Sequence, residues 1–147
     1  MVYHQRILEL IPHQGNMCLL EMALAWSATD ITCVAHSHLS ADNPLRRGGR
    51  LDPVSGVEYG LQAAALHGAL LSGKRQPTAL LASLRDVKVR TRWLDDPSLG
   101  MLRVTATQES CTPHGAMYSF TIAAEAGTEL LSGRALLARL AAATDAP

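Results

Sequence analysis

A long apolar segment in the middle of the chain limits the possible folds more than any other feature. Residues 53–72 read PVSGVEYGLQAAALHGALLS, and Glu58 is their only charged residue. A helix that is apolar on nearly all sides belongs inside a core, because no face of it suits water. We therefore expect a helix of about five turns, with the rest of the chain wrapped around it.

The expected helix has recognisable ends. Asp52 is a good N-cap, and Pro53 suits the first helical position because its missing N–H is not needed there. Gly73 supplies a stop, and Lys74 and Arg75 place cations where the C-terminal end of the helix dipole favours them.

Glu58 needs a reason for its place in so apolar a segment. A buried carboxylate pairs, accepts hydrogen bonds or takes up a proton, and each of these suits acid–base chemistry. Gln62 lies four residues later, so it shares a helix face with Glu58 and could hydrogen-bond to it. The alternative is a structural Glu near the helix start, stabilised by the helix dipole and facing water.

Composition narrows the class of protein. The 147 residues carry a formal net charge of zero and include a single Phe. No overall field attracts nucleic acid or an anionic membrane, and aromatic residues do not alternate with basic ones, so neither partner is expected. The length indicates one domain, residues 1–140, followed by an Ala-rich tail, residues 141–147, that we expect to be frayed.

Cysteine usage indicates a cytoplasmic protein. Cys18, Cys33 and Cys111 have no paired spacing, which favours reduced thiols over disulfides or a zinc site. No set of His, Cys and acidic residues has metal-ligand spacing, so no metal is expected. The N-terminus lacks the basic and apolar regions of a signal peptide. Because polar residues interrupt the central helix, we expect it in a core rather than a membrane.

Alternating apolar and polar residues predict strands on both sides of the central helix. One strand precedes the helix, at residues 30–40, and four follow it, at residues 79–94, 99–110, 116–127 and 129–140. Residues 3–10 indicate a short helix ended by Pro12, and residues 16–26 would be helical by propensity alone. This order predicts an α+β fold in which an antiparallel sheet wraps a single helix.

Several motifs, taken in order, resemble one family. LIPHQGNMCLLE (residues 10–21) resembles its N-terminal segment, GVEYGLQAAALHG (residues 56–68) the start of its central helix, and LLSGRALLARL (residues 130–140) its last strand. The chain is thus similar to the 3-hydroxyacyl-acyl-carrier-protein dehydratases, and among them to the divergent dehydratase-like proteins of aryl polyene pathways. The resemblance implies a hotdog fold and makes residues 18–26 the first strand.

The chemistry of that family needs two groups. A His removes a proton from the carbon next to the thioester, and an acid on the central helix of the other subunit helps to expel the hydroxyl as water. By the resemblance, Glu58 is this acid. Fourteen residues before it, where the family has its His, stands Pro44. Five residues before it, where the family has a glycine whose N–H polarises the carbonyl, stands Pro53. Taking Gly56 as that glycine moves the acid position to Leu61.

Another histidine could supply the missing base. His38 closes the strand that leads into the loop of residues 41–51, where the family carries its His, and His36 shares its face. We take His38 as the candidate base, although paired histidines at a strand end are also typical of surfaces and interfaces. His67 projects from the opposite face of the helix to Glu58, and His13 in the Pro-His turn is expected to be structural.

Arginines cluster in the loop of residues 41–51. Arg46, Arg47 and Arg50 could form a positive rim at a pocket mouth and attract phosphopantetheine and an acidic carrier protein. Together with Gln62 and Gly56, they are the predicted substrate-binding residues.

Three functions are consistent with these residues. The first is a 3-hydroxyacyl thioester dehydratase of fatty acid or polyene type, with Glu58 and His38 as its catalytic residues. The others are a thioesterase, in which Glu58 positions or activates water, and a non-catalytic hotdog subunit that pairs with an active dehydratase. The substrate would be carried on acyl carrier protein or CoA, with no cofactor beyond the phosphopantetheine arm. Because one hotdog sheet leaves an exposed edge, we expect a homodimer or a heterodimer with another hotdog subunit.

Overall fold

In the part of the chain that the structure describes, seven antiparallel strands form one sheet that wraps around a central helix. The computed structural model describes residues 1–76 and 79–139. Its elements, in chain order, are β1 (Val2–Tyr3), α1 (His4–Leu10), β2 (Met22–Trp26), β3 (Asp30–Ala35), α2 (Gly56–Ser72), β4 (Ala79–Val89), β5 (Leu102–Thr112), β6 (Gly115–Ala123) and β7 (Glu129–Arg139). The predicted α+β layout is therefore confirmed, and the predicted tail, residues 141–147, lies outside the described residues.

The order of strands in the sheet is β1-β2-β3-β5-β6-β7-β4. The two edges differ in length, because β1 has 2 residues and β4 has 11. Strands β5, β6 and β7 form the long central part, and α2 packs across it. The core between them is built from large apolar side chains such as Ile7, Ile31, Leu66, Leu102, Ile122 and Leu131.

Helix α2 runs antiparallel to β6. Gly56 at its start lies against Ile122, and Gly60, one turn later, lies against the ring of Phe120. A Cβ at Gly60 would come within 2.5 Å of that ring, so only glycine allows the helix to approach the sheet this closely. Near the other end, His67 contacts Tyr118. The C-terminal half of α2 thus lies beside the first residues of β6.

The ends of α2 match the sequence prediction. The Asp52 carboxylate accepts a hydrogen bond from the Val54 N–H at 2.9 Å, and Pro53 opens a 3₁₀ turn, Pro53–Ser55, that leads into the helix. Gly73 ends it with a φ of 75°, the left-handed conformation that glycine adopts without strain.

Residues 16–26 are not helical, in contrast to their propensity. Gly15–Met17 form a 3₁₀ turn, an extended stretch follows, and β2 begins at Met22 rather than at residue 18. The side chain of Gln62 explains this path, because its Oε1 accepts from the Leu19 N–H at 2.9 Å and its Nε2 donates to the Met17 carbonyl at 2.6 Å. Tertiary bonds from α2 therefore override the local preference.

Strand β4 ends at Val89, five residues before the predicted end at residue 94. The chain then turns inward, and the Leu94 N–H donates to the Leu51 carbonyl at 3.0 Å. Within the described part of the chain, no helix combines the length and the apolar character needed to cross a membrane.

Candidate functional site

A cavity of about 420 Å³ runs along one face of α2. The helix contributes Glu58, Leu61, Ala64, Ala65 and Gly68, whose spacing of three and four residues places them on one side. The segment after α1 and strands β4 to β7 supply the other walls, with Leu10, Pro12, His13, Gln76, Ala79, Leu81, Gln108, Ala116, Tyr118, Leu137 and Arg139. The wall is mainly apolar, with His13 and Glu58 toward the start of α2 and a second group of polar side chains, including Gln108 and Tyr118, toward its C-terminal end.

His13 and Glu58 share the end of the cavity near the start of α2. The Nδ1 atom of His13 is buried and has no hydrogen-bond partner among the described residues. Burial lowers the pKa of His13, and the charge of Glu58 opposes this shift without cancelling it. A neutral imidazole can accept a proton, so His13 and Glu58 together can move protons on a molecule bound in the cavity that both of them line.

Local structure fixes the position of His13. Helix α1 closes with a hydrogen bond from the Ile11 N–H to the Ile7 carbonyl at 3.0 Å, and Pro12 prevents the helix from continuing. The Gln14 side chain donates to the Leu8 carbonyl at 2.7 Å, which holds the turn against α1. On the far side of the turn, Gln62 anchors the chain to α2. His13 is thus held at the cavity from both sides.

The sequence alone predicts a structural role for His13, and the structure places it in the cavity wall instead. No local signal marks it as part of the site, because it lies 45 positions before Glu58 and reaches the cavity only through the anchoring of residues 17–19 by Gln62. The Pro-His dipeptide predicts a turn, and a turn alone does not indicate which element it faces.

His38, the predicted base, does not line the cavity. The residue is fully buried, and its Nε2–H donates to the Gly100 carbonyl at 2.8 Å. Burial lowers the pKa of His38, and the hydrogen bond to Gly100 opposes the shift. Its Nδ1 is buried and has no partner among the residues described, and His38 is not part of the wall of the cavity along α2. The geometry therefore gives no support to His38 as the base.

Two of the three arginines of the predicted rim, Arg46 and Arg50, belong to an ion-pair network. Arg46 Nη1 and Arg50 Nε lie 2.9 Å and 3.2 Å from the same oxygen of Asp95, whose side chain is only 8% exposed. Arg46 also donates to the carbonyls of Ser40 and His38, and Arg50 stacks over the ring of Trp93 at 4.2 Å. These contacts fold the loop of residues 41–51 onto the chain after β4.

None of the three arginines lines the cavity. Arg47, the third of them, donates to the neighbouring carbonyls of Pro44 and Arg46. The prediction that these residues bind substrate has no support from their placement, because two of them are held by a buried carboxylate. The sequence pattern could not show that Arg46 and Arg50 pair with a carboxylate, since Asp95 lies 45 residues beyond Arg50.

Gln62 and Gly56, the other two predicted substrate-binding positions, do not line the cavity and make contacts within the fold. The buried amide of Gln62 bonds to the backbone of Met17 and Leu19 instead of to Glu58. A Cβ at Gly56 would lie 3.4 Å from Leu131, so this glycine lies at the contact between helix and sheet. Over residues 1–76 and 79–139, no three His, Cys, Asp or Glu side chains are grouped so that they could hold a metal ion.

The sequence matches a known protein family, and the fold is similar to solved structures. The family model ApeP-like, described as ApeP dehydratase, matches residues 5–142. No curated protein matches the sequence significantly. Among solved structures, the chain is similar to the dehydratase heterocomplex ApeI:P from Xenorhabdus doucetiae, with a TM-score of 0.78 and 19% identity over 92% of this chain and 91% of that one.

Two further structures show the same fold at lower similarity. AziG of S. sahachiroi gives a TM-score of 0.62 and 16% identity over 86% of this chain and 94% of that one. A mutant of a thioesterase from Staphylococcus aureus gives a TM-score of 0.59 and 15% identity over 80% of this chain and 90% of that one. The predicted hotdog fold is thus confirmed, and it is shared by proteins described as dehydratases and as thioesterases.

Proposed function

Because the chain belongs to the ApeP-like family of dehydratases, we propose that it acts in the dehydration of 3-hydroxyacyl thioesters during fatty acid or polyene-type biosynthesis. The substrate is carried on the phosphopantetheine arm of an acyl carrier protein or of CoA. One observation carries the proposal: Glu58 and His13 line the same, mainly apolar cavity, and the charge of Glu58 acts on the His13 ring.

The two side chains suit the two halves of the reaction. His13 takes a proton from the carbon next to the thioester carbonyl, and the bond between C3 and its hydroxyl oxygen breaks. Glu58 gives a proton to the departing hydroxyl, so that water and a 2-enoyl thioester are formed. Transfer of the proton from His13 to Glu58 restores both groups. The apolar walls, including Leu61 and Leu137, hold the acyl chain and limit access of water to the enoyl product.

Product analysis tests this proposal. The protein, with any partner subunit it requires, is given a 3-hydroxyacyl pantetheine thioester, and the enoyl product is followed by its ultraviolet absorbance. Glu58→Gln keeps the shape of the side chain but cannot give or take the proton, so turnover should fall about a hundredfold or more. Glu9→Gln, an exposed position on α1, is the matched control.

Each outcome has a distinct meaning. Release of a free thiol without enoyl formation would replace the dehydratase with a thioesterase, in which Glu58 directs water at the thioester. Equal turnover in wild type and Glu58→Gln would remove the carboxyl group from the chemistry. It would favour the third possibility, a non-catalytic subunit that completes an active dehydratase.

The β4 edge supports a partner subunit. Leu81, Leu84 and Val89 pair with inward-facing residues of β7, so they project to the concave side of the sheet where α2 packs. The described residues leave them partly uncovered, at 44%, 39% and 49% exposed. An edge strand with 11 residues and an apolar face is a ready site for pairing with another sheet. We infer that a second hotdog subunit extends the sheet at β4 and covers this face.

Substitutions of two leucines on opposite sides of β4 test this interface. Leu84→Glu puts a charge on the concave face and should weaken subunit association about tenfold or more, as measured by sedimentation velocity over a concentration series. Leu80→Glu is the control, because Leu80 is 53% exposed but projects from the opposite side of the same strand. A stable monomer at micromolar concentration with every hotdog partner offered, or equal effects of the two substitutions, would contradict the inference.

A further inference from the structure

The two ends of the cavity carry different polar groups. From Glu58 to Gly68, α2 rises about 15 Å, with Leu61, Ala64 and Ala65 between them. Toward Gly68, four polar side chains join the wall beside the apolar Ala116 and Leu137: Gln76, Gln108, Tyr118 and Arg139. Because α2 runs antiparallel to β6, these residues lie at the end of the cavity opposite to Glu58.

Hydrogen bonds hold the polar groups of this far end in place. His67 Nε2 lies 2.9 Å from the Ser27 carbonyl and must donate to it, so in the neutral ring Nδ1 accepts the Tyr118 O–H at 2.6 Å. The Gln108 amide donates to the Tyr118 oxygen at 3.1 Å. Tyr118 and Gln108 thus face the cavity in a fixed orientation, and each retains capacity for one more hydrogen bond.

Gly68 adds space at the same place. Gly60 of the same helix is required by packing, since a Cβ there would meet Phe120 at 2.5 Å. A Cβ at Gly68 would meet nothing within 4 Å, although glycine in a helix costs about 0.5–1 kcal/mol relative to alanine. The contacts of this chain do not require Gly68, and the volume it leaves free belongs to the cavity.

We propose that the far end is a subsite for the end of the acyl chain remote from the thioester, and that it favours a terminus bearing an oxygen atom over a plain alkyl terminus. The inference rests on the proposed function, which places the thioester near Glu58. The remaining amide N–H of the half-buried Gln108 can donate to a hydroxyl or carboxylate oxygen, and the exposed Arg139, whose guanidinium also contacts Cys111 Sγ at 3.6 Å, adds a positive charge. A methyl terminus in the same place would leave the Gln108 N–H without a partner, and unpaired polar groups are what discriminate most strongly against the wrong ligand.

Binding of unreactive analogues tests the subsite. The ligands are pantetheine thioethers of equal chain length that lack the 3-hydroxyl and end in methyl, hydroxyl or carboxylate, and their affinities are measured by calorimetry on the purified protein. We expect the hydroxyl-ended analogue to bind about tenfold more tightly than the methyl-ended one. Gln108→Met should abolish that preference, and Arg139→Met should weaken the carboxylate-ended analogue most. Gln5→Met, on the exposed side of α1, should change nothing.

The outcomes separate this inference from the proposed reaction. Equal affinities within twofold for the methyl and hydroxyl termini would overturn the subsite, as would a loss in Gln108→Met that is the same for every terminus. That second result would assign the polar groups to structure or to contact with a partner subunit. The stated preference in a protein that performs no dehydration would support the subsite and overturn the reaction. No binding of any analogue would overturn both.

Discussion

Two polar clusters lie near the start of α2, and they are organised in opposite ways. The loop cluster (His38, Arg46, Arg50 and Asp95) is closed, because its charged groups bond to each other and to backbone carbonyls. The cavity pair of His13 and Glu58 is open, because both side chains face space that a ligand can occupy. Each cluster has one buried ring nitrogen that finds no hydrogen-bond partner among the described residues, but of the two histidines only His13 lines the cavity.

The pKa shifts of Asp95 and His13 have different physical causes. Burial acts to raise the pKa of Asp95, but hydrogen bonds from the Leu51 backbone and from Arg50 and Arg46 outweigh it and hold the pKa below its usual range. That carboxylate is therefore fixed as a charge and serves as a clamp. The pKa of His13 is also lowered, but burial itself is the cause there, and it favours the neutral ring, which can accept a proton. Polar groups that satisfy one another stabilise a fold, and groups left open at a cavity are available to a substrate.

The largest expected effect is a difference in turnover between substitutions of His13 and of His38. His13→Gln removes the proton acceptor from the cavity, so turnover of a 3-hydroxyacyl thioester should fall about a hundredfold, which corresponds to about 2.7 kcal/mol in the barrier. His38→Gln keeps a side-chain N–H for the Gly100 carbonyl and lies outside the cavity, so turnover per folded molecule should stay within about threefold of wild type.

The measurement is the enoyl-forming rate, corrected for the folded fraction seen by circular dichroism. The reverse result, with His38→Gln inactive and His13→Gln active, would restore His38 as the base and refute the role given to His13. Loss of activity in both folded variants would mean that the two clusters act as one, and the distinction between them would fail.

Asp95 should matter for stability and not for chemistry. Asp95→Asn keeps the shape of the side chain but removes the charge that pairs with Arg46 and Arg50, so the free energy of unfolding should drop by about 2 kcal/mol. Urea titration measures this. The control is Asp86→Asn, at an exposed ion pair with Arg134, where a change below about 0.5 kcal/mol is expected. Equal effects at the two positions would show that the loop cluster is not a clamp.

The sequence predicts the elements better than it predicts the site. Asp52, Pro53 and Gly73 mark the ends of α2, and alternating residues mark the four strands after it, because these signals are local. The extended path of residues 16–26 follows only from the family resemblance, since the bonds that straighten the segment come from Gln62, more than forty positions away.

The site depends on such distant contacts throughout. His13 reaches Glu58 only when the N-terminal turn packs on α2, and the arginines are held by a carboxylate that follows the next strand. Glu58 can be found from the sequence because a lone charge in an apolar helix is a local anomaly. His13 and Asp95 have ordinary neighbours, so their roles become visible only in three dimensions.

The smallest expected effect concerns pH. Burial lowers the pKa of both His13 and His38 below the ordinary 6.5, so the folded protein binds fewer protons than the unfolded chain. This contribution to stability is present above pH 6.5 and is lost as the pH falls through that value toward the lowered pKa. A tenfold difference in proton affinity between the folded and unfolded states corresponds to about 1.4 kcal/mol. Between pH 7.5 and 5.5, wild type should therefore lose more unfolding free energy than either His13→Gln or His38→Gln, as measured by urea titration at each pH.

The exposed His114 provides the control, His114→Gln, which should show the same loss of unfolding free energy as wild type. If both buried-histidine variants also follow wild type, the two rings titrate alike in the folded and unfolded chain. Burial would then not explain a neutral His13, which the proposed proton transfer in the cavity requires.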